Sequence, residues 1–323
     1  MASYRRQKKY NLLVLELDSL NRKAHLNLSK IYVQLGNIEM AFIEHQTLIE
    51  LDSNNLFFKR VYAGLLLDYQ IYAQAMLQYK KCLELNPHDI KSAKNLAFIY
   101  TKIDRDDLAL DVLKKGLVSS PNSSVLHTEI AKVFYKQKDY ENAIDAENQS
   151  MQLGGDSSLI KLKIIGISYF QLGQHEKAIE YLSYVDENSE SNETMNYYIG
   201  ACYIELGDLE KGELFIKKAI NQGVSNNLDN FYTRLAIVYE KQENYKESIN
   251  AYKLAYQYSK NKILLYHLAR NYDVYYKDKT VAMKYYQKYL NENDTNNAPF
   301  INYSEYRLSE IKMKKHFDLD TIN

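Results

Sequence analysis

The sequence contains no tryptophan, three prolines and eleven glycines among its 323 residues. Proline and glycine break helices and mark turns, so their scarcity excludes a fold of many short strands and favours long helices joined by short turns. No apolar run reaches the roughly 18 to 20 residues that span a bilayer, and no apolar signal segment follows the first methionine. The sequence predicts a soluble, all-α chain without membrane insertion.

Net charge is also lacking, because 41 lysines and arginines balance 41 aspartates and glutamates. A balanced chain gives no field that would attract nucleic acid or an anionic membrane, so we expect no nucleic-acid partner. The two cysteines, Cys82 and Cys202, lie far apart and form no CxxC pair. They predict neither a zinc site nor a disulfide framework, and we expect both to be buried small side chains.

What the sequence does have is a repeat of about 34 residues. Small residues recur with spacings of 34, 34, 34, 35, 34, 36 and 33, and a large residue, six times a tyrosine, follows each one three places later. The small residues are Ser29, Ala63, Ala97, Ala131, Gly166, Gly200, Ala236 and Ala269. A small side chain lets two helices approach closely, so the period indicates a helix pair per repeat.

A second small residue lies about twelve places after the first, from Ala41 to Ala282, and turn residues lie between the two. Leu-Gly pairs at Gly36, Gly173 and Gly207 predict a left-handed conformation that ends the first helix of the pair. Repeats close with segments such as Leu-Asn-Pro-His at 85–88, where proline prevents the second helix from continuing.

This pattern resembles the tetratricopeptide repeat, and the resemblance covers residues 22 to about 295. It implies a right-handed superhelical α-solenoid of antiparallel helix pairs. We expect one domain in three parts: a partial repeat or capping helix at 1–21, about eight repeats at 22–295, and a capping helix and tail at 296–323. The repeats are predicted to start near residues 22, 56, 90, 124, 159, 193, 229 and 262. The spacer at Gly154 and Gly155 is interpreted as an ordinary turn, with a hinge between two half-arrays as the alternative.

Residues 4–18 are predicted to form a lone helix, the second of a repeat whose first helix is missing. Met1, Ala2 and Ser3 resemble a cloning remnant, so an upstream segment or leader removed from the natural protein is an open possibility. The segment from Asn302 to Phe317 is predicted to form a final helix that caps the repeats.

Motifs for catalysis are absent from the sequence, which has no HExxH, GxSxG, GxGxxG or GxxxxGK[ST]. We therefore expect no catalytic residue, no bound metal and no cofactor. His45 occupies the place of Tyr79 in the next repeat, which indicates a structural role rather than a ligand role. The acidic pairs Asp106-Asp107 and Asp186-Glu187 are predicted to lie in turns and to cap helix starts.

The resemblance also implies where a partner binds, because in this family the first helix of each pair lines a concave groove. The positions that face the groove in the family give a mainly basic and aromatic group, followed by a mixed stripe. The first group is Arg60, Lys91, Lys94, Phe98, Lys102, Lys132, Tyr135, Lys136, Lys163, Ile167 and Phe170, and the stripe contains Tyr197, Arg234, Tyr266 and Arg270. Such a groove suits a protein or an extended peptide with acidic groups or a free carboxyl terminus. The alternative is that these lysines are only solvated.

The sequence thus predicts a non-enzymatic scaffold or adaptor that binds a peptide or protein partner. The alternative is a regulatory or targeting module taken from a larger, enzymatic or membrane-anchored protein. Composition rich in asparagine, lysine and tyrosine is typical of an AT-rich, bacterial genome. The sequence leaves the location open between the cytoplasm and, if an N-terminal signal was removed, the periplasm.

Overall fold

The computed structural model describes residues 2–188, 193–222, 227–292 and 298–320, with side chains for all of these except Ala2 and residues 315–320. Within these ranges the chain forms eighteen helices and no β-strand. The predicted all-α class is therefore confirmed. The predicted repeat boundary at 295, the side chain of Phe317 and the tail at 321–323 lie outside the described residues.

The helices follow one another with short connections. Their bounds are α1 Ala2–Leu17, α2 Arg22–Gln34, α3 Ile38–Leu51, α4 Leu56–Asp68, α5 Tyr72–Leu85, α6 Ile90–Lys102, α7 Asp106–Ser119, α8 Ser124–Lys136 and α9 Tyr140–Gln152. The second half comprises α10 Leu159–Gln171, α11 His175–Asn188, α12 Glu193–Glu205, α13 Leu209–Gln222, α14 Leu228–Lys241, α15 Tyr245–Ser259, α16 Ile263–Tyr275, α17 Thr280–Glu292 and α18 Ala298–Asp320. None of the described helices is both long and apolar enough to cross a membrane.

Both columns of small residues are buried where the two helices of a pair meet, as the sequence predicts. The closeness of these contacts is clearest at the glycines. A Cβ atom at Gly166 would lie 2.7 Å from Cγ of Leu182, and one at Gly212 would lie 2.6 Å from Cγ1 of Ile204. Because real Cβ atoms do not approach other atoms so closely, these two positions admit only glycine at the observed spacing.

The turn inside each of the first seven helix pairs uses one left-handed residue. Gly36, Gly173 and Gly207 have φ of +74°, +73° and +85°, which confirms the predicted turns. The same turn occurs without glycine at Gln70, Asp104, Lys138 and Glu243, with φ between 56° and 62°. This backbone geometry therefore recurs through the first seven repeats, whatever residue occupies the turn.

The six tyrosines at the large position of the repeat each have a lysine ammonium over the ring. The pairs are Lys8 with Tyr32, Lys80 with Tyr100, Lys177 with Tyr169, Lys211 with Tyr203, Lys217 with Tyr239 and Lys253 with Tyr272, at 4.7 to 5.9 Å from the ring centroid. A lysine stem packed on a tyrosine keeps its charge in water while covering the ring. These tyrosines therefore have a structural role.

The chain divides into two compact units, Met1–Ser157 and Ser158–Asn323. Unit 1 holds α1 to α9, and its largest core runs from Tyr62 on α4 to Ala146 on α9. Unit 2 holds α10 to α18, and its core is rich in fully buried tyrosines, namely Tyr252, Tyr286 and Tyr289. Leu308 and Ile311 of α18 pack in the same core cluster as Tyr286 and Tyr289.

Candidate interaction face

The first helices of successive repeats lie beside one another in unit 1. On α6, Lys94 places its ammonium 3.3 Å from the carboxylate of Glu129 on α8. On α4, Arg60 reaches Asp89, next to the start of α6, at 3.0 Å. These contacts create a surface, called here the first-helix face of unit 1, that consists of the exposed sides of α2, α4, α6 and α8.

Phe98 is the most exposed aromatic residue predicted for this face, with 45% of its surface open to solvent. It lies one helical turn from Lys94 and one turn from Lys102, so all three side chains share one side of α6. The ammonium of Lys102 lies 5.3 Å from the centre of the Phe98 ring. An exposed ring between two cations is thereby presented to solvent.

Carboxylates partly neutralise this face. Glu129 accepts from both Lys94 at 3.3 Å and Lys132 at 3.0 Å. The buried carboxylate of Asp89 does the same for Arg60. The positive charge available to a partner is therefore smaller than the number of basic residues suggests.

Lys136 is the most heavily paired of the predicted basic residues. Its ammonium lies 2.9 Å from Asp104 and 3.0 Å from Asp106, and it donates to the carbonyl of Thr101 at 2.6 Å. The hydrogen bonds that Lys136 donates to these aspartates raise its pKa above the ordinary value. Exposed Lys91 and Lys102 make no ion pair among the described residues, so their charges stay open to a partner.

The last predicted residue of this group, Tyr135, is half-buried and meets Tyr140 edge to face at 6.0 Å. Only part of the Tyr135 ring is therefore exposed at the surface of α8.

In unit 2 the predicted residues form smaller clusters on α10, α12 and α14. Tyr197 stacks on Phe231 with 5.0 Å between the ring centroids, and Arg234 pairs with Glu205 at 3.0 Å. Phe170 meets Tyr198 edge to face at 5.1 Å. Lys163 is half-buried on α10. These contacts join neighbouring first helices, so the side chains that make them are less available to a partner than Phe98, Lys91 and Lys102 in unit 1.

Two predicted groove residues are buried instead, Ile167 at 4% and Tyr266 at 5% exposure. On α10, Ile167 belongs to a run of buried apolar residues that covers most of the helix circumference. Tyr266 is covered by Phe300 and Tyr303 of α18, at 4.6 and 5.9 Å between ring centroids. The groove positions implied by the family resemblance are therefore wrong for these two residues. The neighbouring Arg270, 5.9 Å from the Tyr266 ring, remains exposed.

The residues considered for catalysis or metal binding have structural roles. His45 is 3% exposed and stacks on Tyr62, and burial lowers its pKa to about 4. Burial likewise raises the pKa of Cys82 and brings that of Cys202 to about 12, so both thiols stay protonated. Among the described residues, no group of three or more histidines, cysteines, aspartates or glutamates is placed to hold a metal ion.

Both acidic pairs lie inside helices rather than in the predicted turns. Asp106 and Asp107 are the first residues of α7, where negative charge is favourable. Asp186 and Glu187 instead lie near the end of α11, so they do not cap a helix start. The second helix of this repeat simply extends further than the turn pattern suggests.

Stacked helix pairs with a buried small residue on each helix define a helical-repeat protein. The sequence profile described as tetratricopeptide repeat matches residues 23–55, 164–184 and 229–262, one stretch in unit 1 and two in unit 2. The chain contains tetratricopeptide repeats in these three stretches.

Comparisons with individual proteins agree with this assignment. The chain is 28% identical over 108 residues to anaphase-promoting complex subunit 3 of Schizosaccharomyces pombe, an alignment that covers 33% of this chain and 16% of that protein. Among solved structures, the C-terminal part of a repeat protein from Cytophaga hutchinsonii matches 75% of this chain and 97% of its own, with a TM-score of 0.58 and 18% identity. YrrB, a repeat protein described with an unusual peptide-binding site, matches 59% of this chain and 97% of its own, with a TM-score of 0.51 and 18% identity. At these identities the structural likeness shows the fold.

Proposed function

We propose that this protein is a non-enzymatic scaffold that binds a peptide or protein segment on the first-helix face of unit 1. The observation that carries the proposal is Phe98, an exposed ring between Lys94 and Lys102 on α6. Aromatic side chains with neighbouring cations are the usual anchors of protein interfaces, because they bury a large area and select acidic partners.

The absence of catalytic motifs from the sequence and the structural roles of His45, Cys82 and Cys202 support a binding role over a chemical one. The curated relative is a subunit of a multi-protein complex, and YrrB carries a peptide-binding site. Both are consistent with an interaction scaffold, and both leave the partner of this chain to experiment.

The test is capture of partners from a lysate of the source organism with the full chain as bait. A triple variant, Lys94→Glu with Lys132→Glu and Lys136→Glu, reverses charge on the first-helix face. The matched control reverses the same number of charges on second helices of the same unit, through Lys81→Glu, Lys114→Glu and Lys115→Glu.

We expect the first triple variant to lose a partner that the wild type and the control both retain. Circular dichroism must show equal helicity for all three, which is expected because the altered lysines are exposed and exposed ion pairs contribute little to stability. Equal capture by all three proteins would contradict the proposal.

A further inference from the structure

Gly64 differs from the other glycines inside helices of this protein. A Cβ atom at Gly166, Gly200 or Gly212 would approach a neighbouring atom to 2.7, 3.0 or 2.6 Å, so packing explains those residues. At Gly64 the nearest atom to an added Cβ is the hydroxyl of Tyr79 at 3.8 Å, an ordinary contact. Since glycine is less favourable than alanine inside a helix, Gly64 weakens α4 without any packing reason.

The space beside Gly64 is an open recess of about 290 Å³ between α2 and α4, called here the Gly64 recess. Its walls include the aliphatic side chains of Val33, Val61 and Leu65. His45 also lines it and is neutral at physiological pH, because burial lowers its pKa to about 4. The exposed lining of the recess is thus mainly apolar.

The Gly64 recess belongs to the same face as Phe98. Gly64 and Phe98 occupy the same place in successive repeats, 34 residues apart, as does Lys30 in the repeat before. Lys30 lies at the rim of the recess, with Asp68 also lining it. Lys30, Lys91 and Lys102 make no ion pair among the described residues, so these three cations are open to carboxylates of a ligand.

We infer that the Gly64 recess receives an aliphatic side chain of an extended partner peptide whose flanking acidic residues pair with Lys30, Lys91 and Lys102. This inference rests on the proposed function and specifies its partner. An aliphatic side chain matches the apolar walls formed by Val33, Val61 and Leu65, and the carboxylates match the unpaired lysines. Phe98 supplies a second apolar contact one repeat further along the peptide.

The experiment selects a phage-displayed library of random twelve-residue peptides on the full chain and measures the affinity of the selected peptides by fluorescence anisotropy. Gly64→Ala and Gly64→Leu fill the recess. Lys81→Leu, which adds the same side chain on the exposed side of α5, is the matched control.

We expect selected peptides to share an aliphatic residue flanked by acidic residues. Gly64→Leu should weaken their binding about ten-fold or more, the effect of losing one buried aliphatic side chain, while the control leaves it unchanged. Gly64→Ala should raise the Tm by about 2 °C while it weakens binding, because alanine stabilises the helix and narrows the recess.

Other results would overturn the inference in distinguishable ways. Peptides that bind the wild type and Gly64→Leu equally, or that share no aliphatic residue, would refute the recess and leave the proposed function standing. A lower Tm for Gly64→Ala would show that the glycine is structural and refute the recess as well. Failure of the wild type to select any peptide would count against both the recess and the proposed function.

Discussion

Arg307 of α18 donates two hydrogen bonds to the carboxylate of Asp273 on α16, from Nε at 2.5 Å and from Nη2 at 3.0 Å. Asp273 is 6% exposed, and it lies 34 residues before Arg307 in the chain. The planar guanidinium matches a carboxylate in this two-bonded arrangement, which fixes orientation as well as distance. The pair therefore fastens the last described helix to the final repeat of unit 2.

Replacing this arginine tests that role. Arg307→Gln should lower the free energy of unfolding by about 2 kcal/mol, because it leaves a buried carboxylate without its main partner. The measurement is urea denaturation followed by circular dichroism. Glu310→Gln removes the half-buried second partner of Arg307 and should change little; equal effects of the two variants would show that the Asp273 contact is not special.

The left-handed turns predict a stabilising substitution. Lys138 and Glu243 adopt φ of 62° and 59°, a conformation that costs a residue with a side chain about 1 to 2 kcal/mol. Glycine removes that cost but adds freedom to the unfolded chain, so Lys138→Gly should stabilise the protein by about 0.5 kcal/mol. Gly173→Ala should do the reverse. Denaturant midpoints that shift the same way for both variants would refute this account of the turn.

The close helix contact at Gly166 predicts a destabilising substitution. Gly166→Ala would place a Cβ atom 2.7 Å from Leu182, and the resulting overpacking should cost about 1 to 3 kcal/mol. In a Leu182→Ala background the same substitution should cost less, because that change removes Cγ and Cδ2 of Leu182, the two atoms nearest the added Cβ. If thermal unfolding shows Gly166→Ala to be neutral, the two helices are further apart than described.

His45 predicts a specific acid sensitivity. Its pKa is lowered from 6.5 to about 4 by burial and by Lys30, so between these values the unfolded chain binds a proton that the folded chain does not. Stability should therefore fall as pH drops through this window, by up to about 1.4 kcal/mol per pH unit from this residue. In His45→Leu the fall should be shallower, whereas His88→Asn, at an exposed site, should follow the wild type. Parallel curves for wild type and His45→Leu would contradict the assignment.

Much of the fold was predictable because close helix packing leaves a mark on residue type. Ala63 and Ala97 had to be small, and Gly36 reveals a left-handed turn. The identical turn at Gln70 could not be predicted from the sequence, because glutamine does not favour the left-handed conformation that the repeat geometry imposes on it. Residue type therefore predicts local structure only at positions where that structure excludes most other residue types.

The candidate face was harder to predict, for physical reasons. A position rule placed Phe98 correctly on an exposed side of α6, but it also placed Tyr266 in the groove, where α18 covers it. The pairing of Lys94 with Glu129 joins residues far apart in the chain, and it depends on the spacing between two helices rather than on the identity of either residue. Gly64 carried a usable signal, a helix-interior glycine next to the small-residue column, which the repeat pattern hid.

We propose that the first-helix face of unit 1 is the side of the protein that contacts a partner. The most direct measurement is photo-crosslinking in a lysate of the source organism with benzoylphenylalanine in place of Phe98, or in place of Leu77 on α5. The two residues are similarly exposed, at 45% and 51%, but Phe98 lies on a first helix and Leu77 on a second helix. We predict a discrete crosslinked partner from position 98 and none from position 77; a partner crosslinked from position 77 alone would contradict the account.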